Sequence, residues 1–227
     1  MKTTARAKAP AADASGHATA RIVEAITTAV VERRLMPGTK LVEQKLADLF
    51  DCSRTLVRQA LNQLSRARLV TLEPARGAFV AQPSVAEARQ VFEVRKMVES
   101  ALVRQLAATI TPAQVAELRA HCRREAEAVR RPDVSGRTRL LGDFHVVLAR
   151  QLGNEVLAHL LADLLSRCSL IALMYQSAHS AEHSADEHVA IVDALAARDP
   201  RRATELMRSH IERSRRELQP LIADAGA

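Results

Sequence analysis

Aromatic side chains are scarce in this chain: among 227 residues there are four Phe, one Tyr and no Trp. Proteins that bind single-stranded nucleic acid stack the bases on aromatic rings, so this scarcity argues against that mode of binding. The three cysteines, Cys52, Cys122 and Cys168, are widely separated and form no CxxC pair. They therefore support neither a disulfide framework nor a cysteine zinc site, and they are consistent with a reducing compartment.

Long apolar segments are also missing. No run of about eighteen residues is both apolar and uncharged, so the sequence predicts no membrane-spanning helix. The first residues lack the apolar core of a secretory signal peptide. Residues 1–17 are rich in Ala, Lys and other small or polar residues, and we expect them to form a disordered arm. These features predict a cytoplasmic protein that does not bind membranes.

Positive charge is concentrated near the N-terminus. The formal net charge is +7, and residues 18–83 supply +4 of it with ten basic and six acidic side chains. Residues 84–227 are nearly balanced, with twenty basic and nineteen acidic side chains. A compact basic segment points to a polyanionic partner. Charge alone would equally fit a solubilising surface, so the pattern of residues has to decide between the two.

Residues 18–82 have the element order of a winged helix-turn-helix. Apolar residues recur at helical spacing in three segments, and Ser53 can cap the third helix through its hydroxyl. Two β-prone runs follow, joined by "PARG", in which Gly77 suits a tight turn. Three helices followed by a hairpin wing predict a DNA-binding fold. The predicted helices cover 19–35, 42–50 and 53–66, and the predicted strands cover 69–73 and 78–82.

The third helix has an amphipathic pattern that exposes basic and polar residues. Its inward positions are Val57, Ala60, Leu61 and Leu64, which leaves Arg54, Thr55, Arg58 and Gln59 on the outward face. The N-terminal part of a recognition helix reads base edges in the major groove, and Arg can hold guanine O6 and N7 or a phosphate. Spacing alone leaves an exposed, solvated arginine pair as the alternative interpretation.

The remainder, residues 83–222, is predicted to be an all-α antiparallel helical bundle, followed by a short tail at 223–227. It contains no convincing strand, no Gly-rich phosphate loop and no G-x-S-x-G motif, so no nucleotide site or serine nucleophile is indicated. The whole chain is therefore predicted to be mainly α. The predicted bundle helices cover 85–109, 112–131, 137–152, 154–177, 184–198 and 201–219.

Three histidines lie on the apolar faces of three different predicted helices, at His145, His188 and His210. If these faces meet inside the bundle, the imidazoles could together hold Zn, Ni, Cu or Fe. The alternative is three separate core histidines, each satisfied by a local hydrogen bond. Helical spacing alone leaves both interpretations open.

The segment "PGTKLVEQKLADLFDCSRTLVRQALNQLSRARLVTLEPARGAFVA" resembles the DNA-binding domain of GntR-family transcription regulators. The resemblance rests on the PGxxL turn, the LAxxF helix, the SRTxVRxAL helix and the RGxFV wing. It implies a double-stranded operator as partner. Gln44 stands where some relatives have an arginine. The implied DNA contacts come from Gln44, Ser53, Arg54, Arg58, Arg76 and Gly77.

The C-terminal segment resembles the FCD branch of that family, through "VFEVRKMVESALVRQLAA", "DFHVVLARQLGN" and the spaced His188 and His210. The resemblance implies an all-helical effector domain whose metal is held by one Asp and three His. Here Leu141 occupies the position of that Asp. Asp143 lies two residues further on, about 200° around the helix, and should point elsewhere. We therefore expect Zn or Ni to bind weakly alone, and more tightly with a carboxylate ligand.

These observations predict a ligand-responsive transcription regulator that controls a neighbouring catabolic operon. Helix-turn-helix readers usually act as two-fold dimers, so we expect a homodimer on a pseudo-palindromic operator. Arg95 is the candidate partner of a small carboxylate effector, or else forms a surface ion pair with Glu99 one turn away. A small metallo-hydrolase using His145, His188 and His210 is the alternative function, although no general base is evident beside them.

Overall fold

The structure is a computed structural model that describes residues 11–130, 134–175 and 181–216, with side chains described for 17–130, 140–171 and 183–216. Residue contacts divide the chain into two units. The first contains the described residues up to Ala29 together with Gly38–Ala81, and the second contains Val30–Pro37 together with the described residues from Gln82 onward. No helix within the described ranges is long and apolar enough to cross a membrane.

The first unit has three helices and a small antiparallel sheet, as predicted for a winged helix-turn-helix. Strand order in the sheet is β1-β3-β2, with Leu72 opposite Ala78 and Lys40 opposite Phe79. The two-residue strand β1 was not predicted, because so short a run carries no alternation. The elements are α1 (Ala11–Val31), β1 (Lys40–Leu41), α2 (Glu43–Phe50), α3 (Arg54–Arg66), β2 (Val70–Glu73) and β3 (Gly77–Val80).

Helix α1 begins at Ala11, inside the segment that we expected to be an arm. Residues 11–20 contain five alanines, and alanine is the strongest helix former, which accounts for the earlier start. Ile22, Ile26 and Val30 are buried along one side of α1, so their predicted helical spacing is confirmed. The expected arm over residues 1–10 lies outside the described residues, as does the tail at 223–227.

The second unit is helical throughout its described residues from Val85 onward, which confirms the all-α prediction. Residues with strong capping chemistry set its helix starts: Ser84 accepts from the amide of Glu87 at 3.1 Å, and Thr111 forms a capping box with Gln114 before Pro112. The helices are α4 (Val85–Thr109), α5 (Pro112–Val129), α6 (Val134–Gln151), α7 (Glu155–Tyr175), α8 (Ala181–Ala196) and α9 (Pro200–Arg216).

The core of the second unit is built around α4, which packs most extensively on α9 and also contacts α6, α7 and α8. Fully buried apolar residues on these helices include Leu102, Phe144, Leu161 and Ile191. Within this apolar core lie several buried polar side chains: Arg95, Glu99, His121, Glu125, His145, His188 and His210. Burying polar groups is unfavourable unless they are paired, so these residues mark the second unit's candidate site.

Candidate DNA-binding surface and metal centre

Helix α3 presents its basic face to solvent. Ser53 caps the helix by accepting from the amide of Leu56 at 3.4 Å. Val57, Ala60, Leu61 and Leu64 are buried, which confirms the predicted inward face. The side chains of Arg54 and Arg58 are 54% and 58% exposed, and Thr55 and Gln59 are exposed beside them. These four predicted DNA-binding residues therefore share one accessible surface.

Both arginines bind the same carboxylate, a contact that sequence reasoning missed. Arg58 donates from Nε to Oε1 and Oε2 of Glu43, at 2.9 Å each, and Arg54 donates from Nη2 to Oε2 at 3.0 Å. Glu43 is the first residue of α2. The hydrogen bond from Arg58 holds the pKa of the Glu43 carboxyl below its ordinary value, with Arg54 acting in the same direction.

The other predicted DNA contacts lie on α2 and the wing. Gln44 donates from Nε2 to Asp48 one turn later at 2.8 Å. In the wing, Arg76 contacts Glu73, and its guanidinium lies 5.3 Å from the centre of the Phe79 ring. Gly77 has φ +104°, a backbone conformation that side chains other than glycine rarely adopt. The wing turn is thereby tight and its arginine is exposed.

The three histidines predicted from helical spacing do meet inside the second unit. His145, His188 and His210 are buried, and one ring nitrogen of each lies within 4.8 Å of those of the other two. Their ring centroids are 4.8–5.2 Å apart. His188 also stacks on Phe144 at 3.9 Å. The alternative interpretation placed the three histidines separately in the core, and this placement is wrong.

Each histidine has its own carboxylate partner. His188 Nδ1 lies 3.0 Å from both oxygens of Glu125, and His210 Nδ1 lies 2.8 Å from Glu187 Oε2. His145 Nδ1 lies 2.6 Å from Glu99 Oε2, although neither atom has a hydrogen-bond partner of good geometry within the described part of the chain. We refer to Glu99, Glu125 and Glu187 as the carboxylate ring; sequence reasoning did not identify its role.

These partners decide which ring nitrogen is available. A carboxylate only accepts hydrogen bonds, so the proton of a neutral imidazole belongs on the Nδ1 that faces it. The Nε2 lone pair of each histidine is then available to another group, and on His145 it faces Arg95 Nη2 at 3.4 Å. Consistent with this, His188 Nε2 is buried without a hydrogen-bond partner among the described residues. Metal-binding histidines commonly have this arrangement, in which a carboxylate fixes the ring through its other nitrogen.

The histidines are held neutral and the carboxylates charged. Burial lowers the pKa of His145, His188 and His210 below the ordinary value. Burial acts in the opposite sense on Glu125 and Glu187, but the hydrogen bonds from their histidine partners hold the pKa of both carboxyls below the ordinary value. Neutral imidazoles with nearby carboxylates are the protonation states that a metal ion requires.

Arg95 forms an ion pair with Glu99, with Nε 2.7 Å from Oε1, but the pair is buried, so the expectation of a surface pair is wrong. Burial opposes the charge on Glu99, yet the neighbouring Arg95 and His145 hold its pKa well below the usual range. The Arg95 guanidinium also reaches His145 Nε2 at 3.4 Å and Cys168 Sγ at 3.6 Å. It therefore lies directly beside the histidine cluster.

A cavity of about 140 Å³ opens beside these groups, lined by Arg95, the three histidines and Leu141 among others. Leu141 therefore faces the cavity from the position where the family's Asp was expected. Asp143 is exposed, as its angle around α6 predicted. Among the described residues the donor set is three imidazoles without a coordinating carboxylate, and three imidazoles are a set of ligands that could hold a divalent cation.

His121, which the sequence left unassigned, extends this network. Its Nε2 lies 3.3 Å from Glu125 Oε1 and 3.1 Å from the carbonyl oxygen of Leu140. Its Nδ1 lies 3.3 Å from Arg124. Glu125 therefore bridges His121 and His188, and a fourth buried histidine supports the cluster without joining it.

Two family models match the chain: the bacterial regulatory proteins of the gntR family over residues 18–80, and the FCD domain over residues 90–213. The chain belongs to the GntR family, in its FCD branch. Among curated relatives, the transcriptional repressor RspR of Escherichia coli is 26% identical over 184 residues, covering 81% of each chain. The regulator LutR of Bacillus subtilis is 29% identical over 210 residues, covering 78% of this chain and 90% of LutR.

Solved structures show the same fold. The GntR-type regulator from Rhodococcus sp. RHA1 superposes with a TM-score of 0.77 at 25% identity, covering 89% of this chain and 97% of that one. McbR/YncC of Escherichia coli superposes with a TM-score of 0.80 at 19% identity, covering 90% and 98%. This GntR-family protein is therefore a DNA-binding transcription regulator. Its relatives are regulators rather than enzymes, so the metallo-hydrolase alternative is set aside.

Proposed function

We propose that this protein is a ligand-responsive regulator whose effector is a small carboxylic acid bound in the cavity beside His145, His188 and His210. The observation that supports this proposal is that three buried, neutral imidazoles and the Arg95 guanidinium line the same cavity. A guanidinium presents a planar fork that matches a carboxylate. Among the curated relatives are proteins named as repressors, RspR and GlaR of Escherichia coli, and we propose that this chain likewise controls a neighbouring catabolic operon.

In this proposal the three histidines hold Zn²⁺ or Ni²⁺ through Nε2. The bound cation would add positive charge beside Arg95 and so attract the carboxylate of the effector. Because Leu141 provides no ligand, the carboxylate would occupy a coordination position that an Asp fills in relatives. The carboxylate ring supports this assignment, since it offsets the charge of a buried cation, which would otherwise be unfavourable.

The metal and the acid should strengthen each other's binding by the same factor, since coupling between two ligands is reciprocal. The experiment is calorimetric titration of metal-stripped protein with Zn²⁺, with and without mono-, di- and hydroxycarboxylates selected by thermal shift. His210→Gln should abolish metal binding, and the exposed His159 provides the matched control His159→Gln. Leu141→Asp should raise metal affinity in the absence of acid.

The proposal fails if the selected acid binds equally well to stripped protein, to wild type with Zn²⁺ and to His210→Gln. In that case the histidines are structural and Arg95 alone accounts for acid binding. A second control separates these roles: Arg95→Met combined with Glu99→Gln removes both charges of the buried pair together. This double variant should lose the acid while still folding, because neither partner is left as an unpaired buried charge.

We further propose that the protein acts as a homodimer on a pseudo-palindromic operator in the cytoplasm. Two copies of α3 would then read two half-sites about one helical turn of DNA apart. Acid binding would change the relative populations of DNA-binding and non-binding states. Sedimentation should show a dimer at micromolar concentration, and a monomer both with and without DNA would contradict this part of the proposal.

A further inference from the structure

Glu43, the first residue of α2, contacts two arginines of the predicted recognition helix α3, on the surface predicted to approach the polyanionic DNA backbone. Its carboxylate accepts from Arg58 at 2.9 Å and from Arg54 at 3.0 Å. A negative charge beside phosphates opposes binding. Its charge therefore weakens DNA binding, and neither solubility nor folding explains why this carboxylate contacts both arginines.

The geometry of Arg58 explains how the contact with Glu43 could favour DNA recognition. Its bonds to Glu43 use Nε alone, so the pair of terminal nitrogens, Nη1 and Nη2, remains at the outer end of the side chain. Recognition of guanine needs two parallel N–H groups directed at O6 and N7. An exposed arginine without a partner would populate many rotamers, and ordering one such side chain opposes binding by about 0.5–1.5 kcal/mol.

We propose that Glu43 is a positioning residue for sequence-specific DNA recognition: it holds Arg58 by Nε and thereby orients its terminal nitrogens toward a base edge. Arg54 completes the arrangement by sharing the same carboxylate. The proposal separates two effects of Glu43 that have opposite signs. Its charge weakens binding to any DNA, whereas its hold on Arg58 strengthens binding to the operator.

The test compares Glu43→Gln with Asp51→Asn. Both substitutions remove one negative charge at α2, but Asp51 is the exposed C-cap residue of that helix, and its left-handed backbone conformation is one that Asn also adopts. The probes are a duplex selected by the wild-type protein from a random library and a scrambled duplex of the same composition. Affinities are measured by fluorescence anisotropy over a range of salt concentrations, and folding is checked by the thermal unfolding midpoint.

Glu43→Gln should lower the ratio of selected to scrambled affinity by about two- to twelvefold, the range that corresponds to ordering one side chain. Asp51→Asn should leave the ratio unchanged. Both variants should bind scrambled DNA more tightly than wild type, because each loses a charge that repels phosphate. If both variants instead shift both duplexes by one common factor, Glu43 acts only through its charge and the proposal is overturned.

Two further variants test whether Glu43 acts through Arg58. In an Arg58→Ala background, Glu43→Gln should no longer alter the ratio, because the side chain that it positions is gone; a persisting loss would contradict the proposal. Glu43→Asp keeps the charge but is one methylene shorter, so it should lower the ratio without changing the salt dependence. If Glu43→Asp preserves the wild-type ratio, the carboxylate does not position Arg58.

Discussion

The two candidate sites use the same pairing of a basic group with a carboxylate, in opposite surroundings. Arg54 and Arg58 share Glu43 at the surface, where more than half of each arginine side chain is exposed. Arg95 shares Glu99 with His145 in the interior, where the arginine is 5% exposed and the glutamate 0%. The surface cluster belongs to the first unit, which the gntR family model matches, and the buried cluster belongs to the second unit, which the FCD model matches.

The difference in burial suits the two tasks. Water and salt screen an exposed ion pair, and Arg58 uses only Nε for Glu43, so its terminal nitrogens stay accessible to DNA. A buried pair is fixed in one geometry, because separating it would leave an uncompensated charge in the interior. Recognition of DNA needs charged groups that are accessible at the surface, whereas a metal or carboxylate site needs ligands that are enclosed and held at fixed positions.

The largest effect is expected when the buried ion pair is broken, and it is an effect on the stability of the protein. Arg95→Ala leaves Glu99 without its cation, and we expect this to lower the free energy of unfolding by about 3–5 kcal/mol. Arg119 provides the matched control, since it pairs with Asp193 while both side chains are more than half exposed. Arg119→Ala should change the free energy of unfolding by at most about 1 kcal/mol. Urea unfolding measures both, and equal effects would remove the distinction between the two surroundings.

The next largest effect concerns the carboxylate ring. Glu125→Gln keeps the size of the side chain but removes the charge that fixes His188, so metal affinity should fall about 10–100-fold. Glu127→Gln makes the same charge change on the exposed face of α5 and should leave metal affinity unaltered. Titration of stripped protein with Co²⁺, followed by its visible absorption, measures the affinity. Equal affinities in the two variants would show that the ring does not tune the cluster.

At the exposed site the expected effect is smaller and depends on DNA sequence. Arg58→Ala should weaken operator binding by about 1–3 kcal/mol and relax specificity at one base position. Arg66→Ala, at the far end of α3, should leave the sequence preference unchanged. Anisotropy against single-base operator variants at fixed salt measures this. An unchanged sequence preference in Arg58→Ala would remove Arg58 from base recognition.

The smallest effect expected is a pH dependence confined to the buried site. Burial lowers the pKa of His145, His188 and His210 in the folded state, so the unfolded chain takes up protons first as the pH falls below about 6.5. The free energy of unfolding of metal-stripped protein should therefore be highest above that pH and should decrease as the pH falls below it. His188→Gln should flatten this dependence, whereas the exposed His159→Gln should not. Thermal unfolding between pH 8 and 5.5 tests the sign.

Much of the fold could be predicted because its signals are local. Ser53 and Ser84 cap helices at the positions that the sequence predicts, and α4 spans the predicted residues. The three histidines were found because each lies in register with apolar residues on its own helix. Strand β1 could not be found this way, since its two residues pair with β3, about forty positions away.

The sequence by itself determined the order of elements, the outward face of α3 and the buried face of each histidine, because helical periodicity and capping act within a few residues. The resemblance to the FCD branch further implied that Leu141 stands where relatives have an Asp. Only the tertiary structure showed that Glu125 reaches His188 across 63 positions and that one Glu43 carboxylate serves both Arg54 and Arg58. A glutamate on a helix is usually solvated, and nothing local marks the few whose carboxylate is paired with a side chain from a distant helix.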